Sequence, residues 1–506
     1  MRSTVLFTNA LIIDGSGSPP FLGMVAVEGD TIIYVGPHKH SIRSAHSIDL
    51  GGSFLVPGFI DMHGHSDLHV VRHPSMEEKI RQGITTEVVG NCGMGVYPLS
   101  SDPEKRSMLA TLAKDILGEL LEPWPWTDMA SYGAQLCCRT HVVPLQAHAP
   151  LRICAMDGNP NRQATETEID TMANLLERSY EQGAVGFSSG LYYAPCAFAS
   201  RGELLALLKM TAKWDKLFAV HHRCEGDGVL ASLQEVLELA REANVRIEVS
   251  HLKAIGKRNQ QYVPQMLSLL ESYANDGLEV GFDQYPYTFG STSLYSLLPP
   301  QYLRLEREQL LTALQNRDER ERIRRLILDA EGWDSIISLC GWDAISVMHI
   351  DGKEELHGKT FSDLAKHSHK DPFDVLFDLL SEGPSTAVMA DVTQSEASLQ
   401  AIMRHPLGCF GTDALYSGTV SHPRSYSSTT HLFSRYYKES PNLPIEAMVA
   451  RMTGESARRL HLLDRGNIAV GYKADLVVLD MASLDKGSGF PIVMVNGEPV
   501  VNSRND

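Results

Sequence analysis

Eight short apolar runs, each finishing in residues able to do chemistry, constrain the fold of this chain more than any other feature. They are VPGFIDMHGH, TTEVVGNCG, HVVPLQAH, AVGFSSGLYY, LFAVHHRCE, RIEVSHLK, EVGFDQYPY and LGCFGTDAL. Between them lie segments such as TETEIDTMANLLERSYEQG and GVLASLQEVLELAREAN, whose Leu and Met recur every three and four residues and therefore read as helices. Strand, helix, strand repeated eight times predicts an α/β chain folded as a (β/α)8 barrel. Such a barrel carries its active site at the C-terminal ends of its strands, where the His, Cys, Lys and Asp residues of these runs fall.

The two ends of the chain have a different texture. Residues 5–56 read as short strands, VLFTNALIID, MVAVEGDTIIYVG and SIDLGGSFLV, punctuated by Gly, Asp and Pro, the pattern of a small antiparallel sheet. From about Gly466 the same texture returns in GNIAVGYKADLVVLD and PIVMVNGEPVV. Residues 1–57 and 466–506 are thus expected to meet in one small β-sandwich flanking a barrel over 58–465. The stretch of about 288–400 is too long for one crossover. It is expected to hold an inserted helical lid containing Pro299, Pro300 and the run RDERERIRR, read as a solvated helix face.

Composition narrows the partners. With 45 Lys+Arg against 62 Asp+Glu over 506 residues, the formal charge is −17, which excludes nucleic acid and anionic membrane as natural partners. The eight cysteines form no CxxC pair, so reduced thiols are expected rather than a disulfide framework. No run of eighteen apolar residues and no secretory core segment is visible, which makes the cytoplasm the expected location. Nothing in the pattern sets an oligomeric state.

The strand ends supply candidate metal ligands. His63 and His65 are two apart, so both side chains share one strand face and form a chelating pair. His221 ends the fifth run, His251 the sixth and Asp413 the eighth. Cys92, at the tip of the second, can add a thiolate. This donor set suits Zn²⁺ ahead of Mn, Co or Fe. His222 rivals His221, but neighbours on a strand face opposite ways, so only one can enter the site. The fourth run has no lysine that could bridge two metals after carboxylation, so a second metal would need another ligand, a place Cys92 can fill.

The runs PGFIDMHGHSD (57–67), GITTEVVGNCG (83–93), GFSSGLYYAP (186–195), HHRCEGD (221–227), SHLK (250–253), DQYPYTFGST (283–292), GTDAL (411–415) and HPR (422–424) resemble those of the N-acyl-D-amino-acid deacylases, or D-aminoacylases, of the amidohydrolase superfamily. The likeness continues through KADLVVLD and VNGEPVV and covers nearly the whole chain. It implies a distorted barrel with a small β-sandwich and a metal site of His63, His65, Cys92, His221, His251 and Asp413. In that family the Cys and the His of strands five and six hold one Zn²⁺ tightly, and the HxH pair with the Asp forms a second, weaker site. The resemblance also implies that Lys253, Tyr285 and Ser291 grip the substrate α-carboxylate and that Tyr193 lines the pocket.

The activity so implied is hydrolysis of a small-molecule N-acyl-D-amino acid to a carboxylate and a free D-amino acid. Metal-activated water would attack the amide, with Asp413 as general acid and base. Arg424, His148 and Arg152 read as bracing groups. The alternatives are hydrolysis of a cyclic or secondary-metabolite amide, or a barrel retained as a non-catalytic scaffold. Three positions depart from the family pattern: Pro150 in HAPLR, Ala414 after Asp413, and Phe289, expected to narrow the pocket.

Overall fold

The computed structural model describes residues 2–117, 123–384, 386–417, 421–439, 443–487 and 489–502. The chain opens with five strands, β1 (Arg2–Ile12), β2 (Phe21–Glu28), β3 (Thr31–Gly36), β4 (Arg43–Asp49) and β5 (Phe54–Pro57). β2 lies antiparallel between β1 and β3, but β4 and β5 both pair with β1 in parallel. The sheet is therefore mixed, where an antiparallel one was expected. The reason is local: β4 and β5 follow one another along the same edge of β1, interrupted by a turn at Gly51 and Gly52, both at positive φ. A period-two apolar pattern reports burial and carries no strand direction.

The barrel strands follow in order: β6 (Phe59–Asp61), β7 (Ile84–Val89), β8 (His141–Ala147), β9 (Gly186–Gly190), β10 (Leu217–His221), β11 (Arg246–Val249) and β12 (Val280–Gln284). Each is parallel to the next. β7, β9, β10 and β12 are buried at every residue, as expected when a parallel sheet is covered on both faces. The helices between them obey the spacing read from sequence. In Glu166–Glu181, Met172, Leu176 and Tyr180 face inward, and Thr165 with Glu168 forms a capping box at its start. In Val229–Ala243 the buried stripe is Leu233, Val236, Leu237 and Ala240.

The insertion after β12 contains helices together with a three-stranded sheet: β13 (Phe289–Ser293), β14 (Ile345–Ile350) and β15 (Ala387–Val392), with β15 central and antiparallel to both others. A wholly helical lid is thus corrected. FGSTS, the sequence of β13, is too rich in Gly and Ser to signal a strand. This unit has its own core, including Leu314, Ile323, Val347, Phe361, Leu376 and Met389. The charged run lies in the helix Arg317–Leu328, which buries Ile323 and Ile327 and pairs Arg320 with Asp378 at 2.8 Å.

β16 (Gly408–Phe410) then pairs with β12. β17 (Leu476–Leu479), β18 (Ile492–Val495) and β19 (Glu498–Asn502) extend the first sheet from β5. Both chain ends pack on one core that includes Phe7, Ile12, Val25, Leu55, Val478 and Ile492. Among the described residues no helix is long and apolar enough to cross a membrane.

The seam between β6 and β16 closes the barrel just beyond the strands. Met62 N donates to Phe410 O at 3.1 Å, Asp413 N to His63 O at 2.7 Å, and His65 N to Ala414 O at 3.1 Å. Asp61 fastens it: Oδ1 accepts from His63 N at 3.1 Å and Thr412 N at 2.7 Å, while Oδ2 accepts from Thr412 Oγ1 at 2.6 Å and from Lys79 Nζ. Lys79, Asp61 and Glu87 are wholly buried. Burial opposes the Lys79 ammonium, but Asp61 beside it holds the amine protonated well above its ordinary value. Lys79→Met would leave Asp61 buried without a counter-charge. Loss of about 3–5 kcal/mol is expected, read as a lower urea midpoint of the metal-free protein; an unchanged midpoint would refute this role.

Candidate metal centre

Six side chains from five barrel strands meet at the C-terminal mouth. Cys92 Sγ lies 3.3 Å from His63 Nε2, 3.4 Å from His251 Nε2 and 3.9 Å from His221 Nδ1. Donor atoms of His63, His65 and Cys92 fall within 4.8 Å of one another, and so do those of Cys92, His221 and His251. Asp413 Oδ1 stands 3.1 Å from His65 Nε2 and 3.6 Å from His63 Nε2. The cluster thus divides into two groups that share Cys92. A tetrahedral zinc with Zn–S about 2.3 Å and Zn–N about 2.0 Å separates sulfur from nitrogen by about 3.5 Å, close to the spacing of His63 and His251 around Cys92, with His221 beyond it at 3.9 Å. His65 Nδ1 is buried with no hydrogen-bond partner among the described residues.

Backbone geometry aims these groups. Cys92, His251 and Asp413 all have positive φ, at 53°, 36° and 52°, a region that non-glycine residues rarely occupy. The Cys92 turn is possible because β9 passes close against it: a Cβ on Gly190 would come within 2.1 Å of Cys92 O. Electrostatics support a thiolate. Burial pushes the Cys92 thiol up, but His63 and His251 outweigh it and hold it well below the usual range. Burial likewise opposes the Asp413 carboxylate, while Arg424, His65 and His63 keep it ionised.

A ring of further groups orients the imidazoles. His63 Nδ1 is 3.0 Å from Asp283 Oδ2, and His251 Nδ1 is 3.1 Å from Glu225 Oε1, the carboxylate–imidazole pairing that fixes tautomer and raises ligand basicity in metal sites. Neither acid was singled out from sequence. Both lie in quoted runs, Glu225 four residues after His221 and Asp283 at the end of β12, where that pairing would place them. His222 points away from the cluster, its Nδ1 3.0 Å from Ser232 Oγ. Its burial pushes it down to about 3.

Beside the cluster opens a pocket lined by Lys253, Tyr285, Ser291 and Tyr193 among others. Lys253 is buried, with Nζ 2.7 Å from Glu225 Oε1. The Tyr285 hydroxyl has no hydrogen-bond partner among the described residues. Tyr193 stands edge-on to His221 and within 3.3 Å of Thr292 Oγ1, while Ser291 Oγ donates to Met389 O. Arg424 braces and also lines the pocket: it lies 2.7 Å from Asp413 Oδ2 and donates to Ser291 O at 2.8 Å. His148 and Arg152 meet at Glu203 behind the site, with His148 Nδ1 2.9 Å from Ser189 Oγ. Phe289 does not narrow the pocket. It packs on His422 at a centroid distance of 4.2 Å and is absent from the lining.

The model of the Amidohydrolase family matches residues 46–501. The chain is 32% identical over 472 residues to the N-acyl-D-glutamate deacylase of Alcaligenes xylosoxydans xylosoxydans, covering 93% of this chain and 86% of that one. It belongs to the N-acyl-D-amino-acid deacylase family of amidohydrolases. The N-acyl-D-aspartate deacylase of the same organism is 30% identical, over 99% of this chain and 92% of its own. Among solved structures, the N-acyl-D-glutamate deacylase of Bordetella bronchiseptica, complexed with zinc and a phosphonate mimic of the tetrahedral intermediate, superposes with a TM-score of 0.81 at 30% identity, over 99% of this chain and 97% of that one. As a family member the chain is a metal-dependent amidohydrolase.

The orienting carboxylates give this deacylase-family site a direct test. Asp283→Asn is expected to weaken zinc binding about 10–100-fold, measured by competition with a chromophoric chelator. Cys92→Ser should weaken it further, since both ligand groups share that sulfur. Unaltered zinc affinity in both variants would rule out the cluster as the metal centre.

Proposed function

We propose that this protein hydrolyses the amide bond of N-acyl-D-amino acids with zinc held by His63, His65, Cys92, His221, His251 and Asp413. The observation that carries this reading is the adjacency of two ligand groups sharing Cys92 to a pocket that offers a buried ammonium and an unsatisfied phenol, in a chain similar along its whole length to deacylases. Cys92, His221 and His251 are assigned the tighter zinc, and His63, His65 and Asp413 a second, weaker site. Zinc bound there supplies an activated water and polarises the amide carbonyl.

The residues of the chain do the rest. Asp413 takes a proton from the attacking water and passes it to the amide nitrogen, so that the C–N bond breaks with the amine leaving neutral. Arg424 holds Asp413 Oδ2 at 2.7 Å, which fixes the carboxylate and leaves Oδ1 facing the imidazoles. Lys253 and the Tyr285 hydroxyl are placed to receive the α-carboxylate; Ser291 joins them once its hydroxyl turns from Met389 O. Tyr193 packs along the substrate beside His221. Gripping the carboxylate at one end and the carbonyl at the other fixes which face of the Cα carbon meets the pocket, and this supports discrimination between D and L series.

The test is release of free amine by zinc-loaded protein from paired N-acetyl-D- and N-acetyl-L-amino acids, with metal content measured on the same samples. Turnover in the D series alone is expected, and Asp413→Asn should lower kcat by about 10²–10⁴-fold while the fold persists. Equal turnover of both series, or near wild-type turnover by the variant, would sink the reading.

A further inference from the structure

The charge balance of the pocket does not favour the acidic substrates for which two of the relatives are named. Among the described residues its lining contains two permanent cations, and each is already matched. Lys253 is 2.7 Å from Glu225, and Arg424 is 2.7 Å from Asp413. A third carboxylate, Asp391, has no such match. It lies on β15 opposite Gly290 of β13, is 4% exposed and lines the pocket. No hydrogen bond or ion pair joins its carboxylate to another described side chain. A Cβ added at Gly290 would meet Asp391 Oδ1 at 3.4 Å and the Tyr285 hydroxyl at 3.3 Å. The missing side chain therefore opens a space onto which both polar groups face.

A buried carboxylate that no cation touches is costly unless something neutralises it, and only the more distant charges of Lys253 and Arg424 and its own backbone N–H favour the ionised form of Asp391. Burial pushes Asp391 up to about 6, still on the ionised side at neutral pH. Asp334, on the same wall, adds negative charge but offers less to a ligand, because its Oδ2 accepts from the backbone N–H groups of Glu225 and Gly226. With Lys253 engaged by the α-carboxylate, an N-acyl-D-aspartate or N-acyl-D-glutamate would bring a further carboxylate to the wall where Asp391 and Asp334 already stand. A side chain ending in an ammonium or guanidinium would instead complete the balance.

We propose that Asp391 is a specificity-determining residue that selects N-acyl-D-amino acids with cationic side chains, of the lysine or arginine class, over neutral and acidic ones. This rests on the deacylase reading above.

The experiment compares kcat/KM of the zinc-loaded full chain for N-acetyl-D-lysine, N-acetyl-D-arginine, N-acetyl-D-norleucine, N-acetyl-D-aspartate and N-acetyl-D-glutamate. Norleucine retains the lysine stem without its charge. A cationic substrate is expected to exceed norleucine by about 10–100-fold, the worth of one charge-assisted contact, with aspartate and glutamate below norleucine. In Asp391→Asn the lysine-to-norleucine ratio should fall by about tenfold through KM for lysine. The wild-type ranking decides the matter even where that variant fails to fold. Norleucine turned over as well as lysine, acidic substrates preferred, or a ratio untouched by Asp391→Asn would overturn the role of Asp391 and leave the deacylase reading standing. Turnover of no D-substrate, norleucine included, would overturn both.

Discussion

One buried carboxylate, Asp61, sets the alignment on which the rest of this site depends. It accepts from the backbone of His63 just after the first barrel strand and of Thr412 after the last, and those residues adjoin or belong to the proposed metal-ligand set. Strands one and eight are the two that the chain must bring together from opposite ends of the barrel, with more than three hundred residues between them. Parallel pairing with so long a closure is costly in chain entropy. A carboxylate bridging two backbone amides, neutralised by Lys79, fixes that pairing in register. The 3.1 Å approach of His65 to Asp413 follows from this seam.

The same logic accounts for the strained backbone of three of the proposed ligands. Left-handed conformations at Cys92, His251 and Asp413 cost on the order of 1–3 kcal/mol each. Each is held by a contact that a relaxed chain would lose. Asp413 N donates to His63 O at 2.7 Å, His251 N to Asp283 Oδ1 at 2.9 Å, and the Asn91 amide beside Cys92 donates to Val88 O at 3.1 Å. The barrel thereby turns three side chains off the ends of their strands and into a common centre, at a cost its rigid packing offsets.

Much of this was legible in the residues themselves. Most of the barrel strands are recognisable as short apolar runs, and β9, GFSSG, by its place in the strand–helix alternation; the HxH pair is recognisable because period two is expected to put both rings on one face. The choice of His221 over His222 needed the resemblance, since alternation says only that one of them points inward; the structure shows His222 turned to Ser232. Glu225 and Asp283 were hidden because an acid that orients an imidazole looks, in sequence, like any acid beside a strand end. The β-sheet of the insertion was missed for a different reason. β13 is FGSTS, and its strand state is imposed by pairing with β15 across about one hundred residues, which no local pattern reports.

That last point separates two kinds of information in the site. The barrel contributes charges in matched sets, Lys253 with Glu225 and Arg424 with Asp413; Lys253, Glu225 and Asp413 belong to strand-end runs, and Arg424 to the HPR segment that follows the last of them. The insertion contributes Gly290, Ser291 and Asp391 through non-local pairing of β13 with β15. Chemistry that needs fixed geometry is carried by rigid strand ends, whereas selection among side chains needs only that one wall of the pocket differ in charge or shape. The unit that carries this wall has a core of its own, and it meets the site through contacts such as Arg424 with Ser291 O and Tyr193 with Thr292 Oγ1. Asp391 forms no hydrogen bond or ion pair with the proposed metal ligands among the described residues, so its substitution is expected to alter what the pocket accepts more than the proposed metal centre.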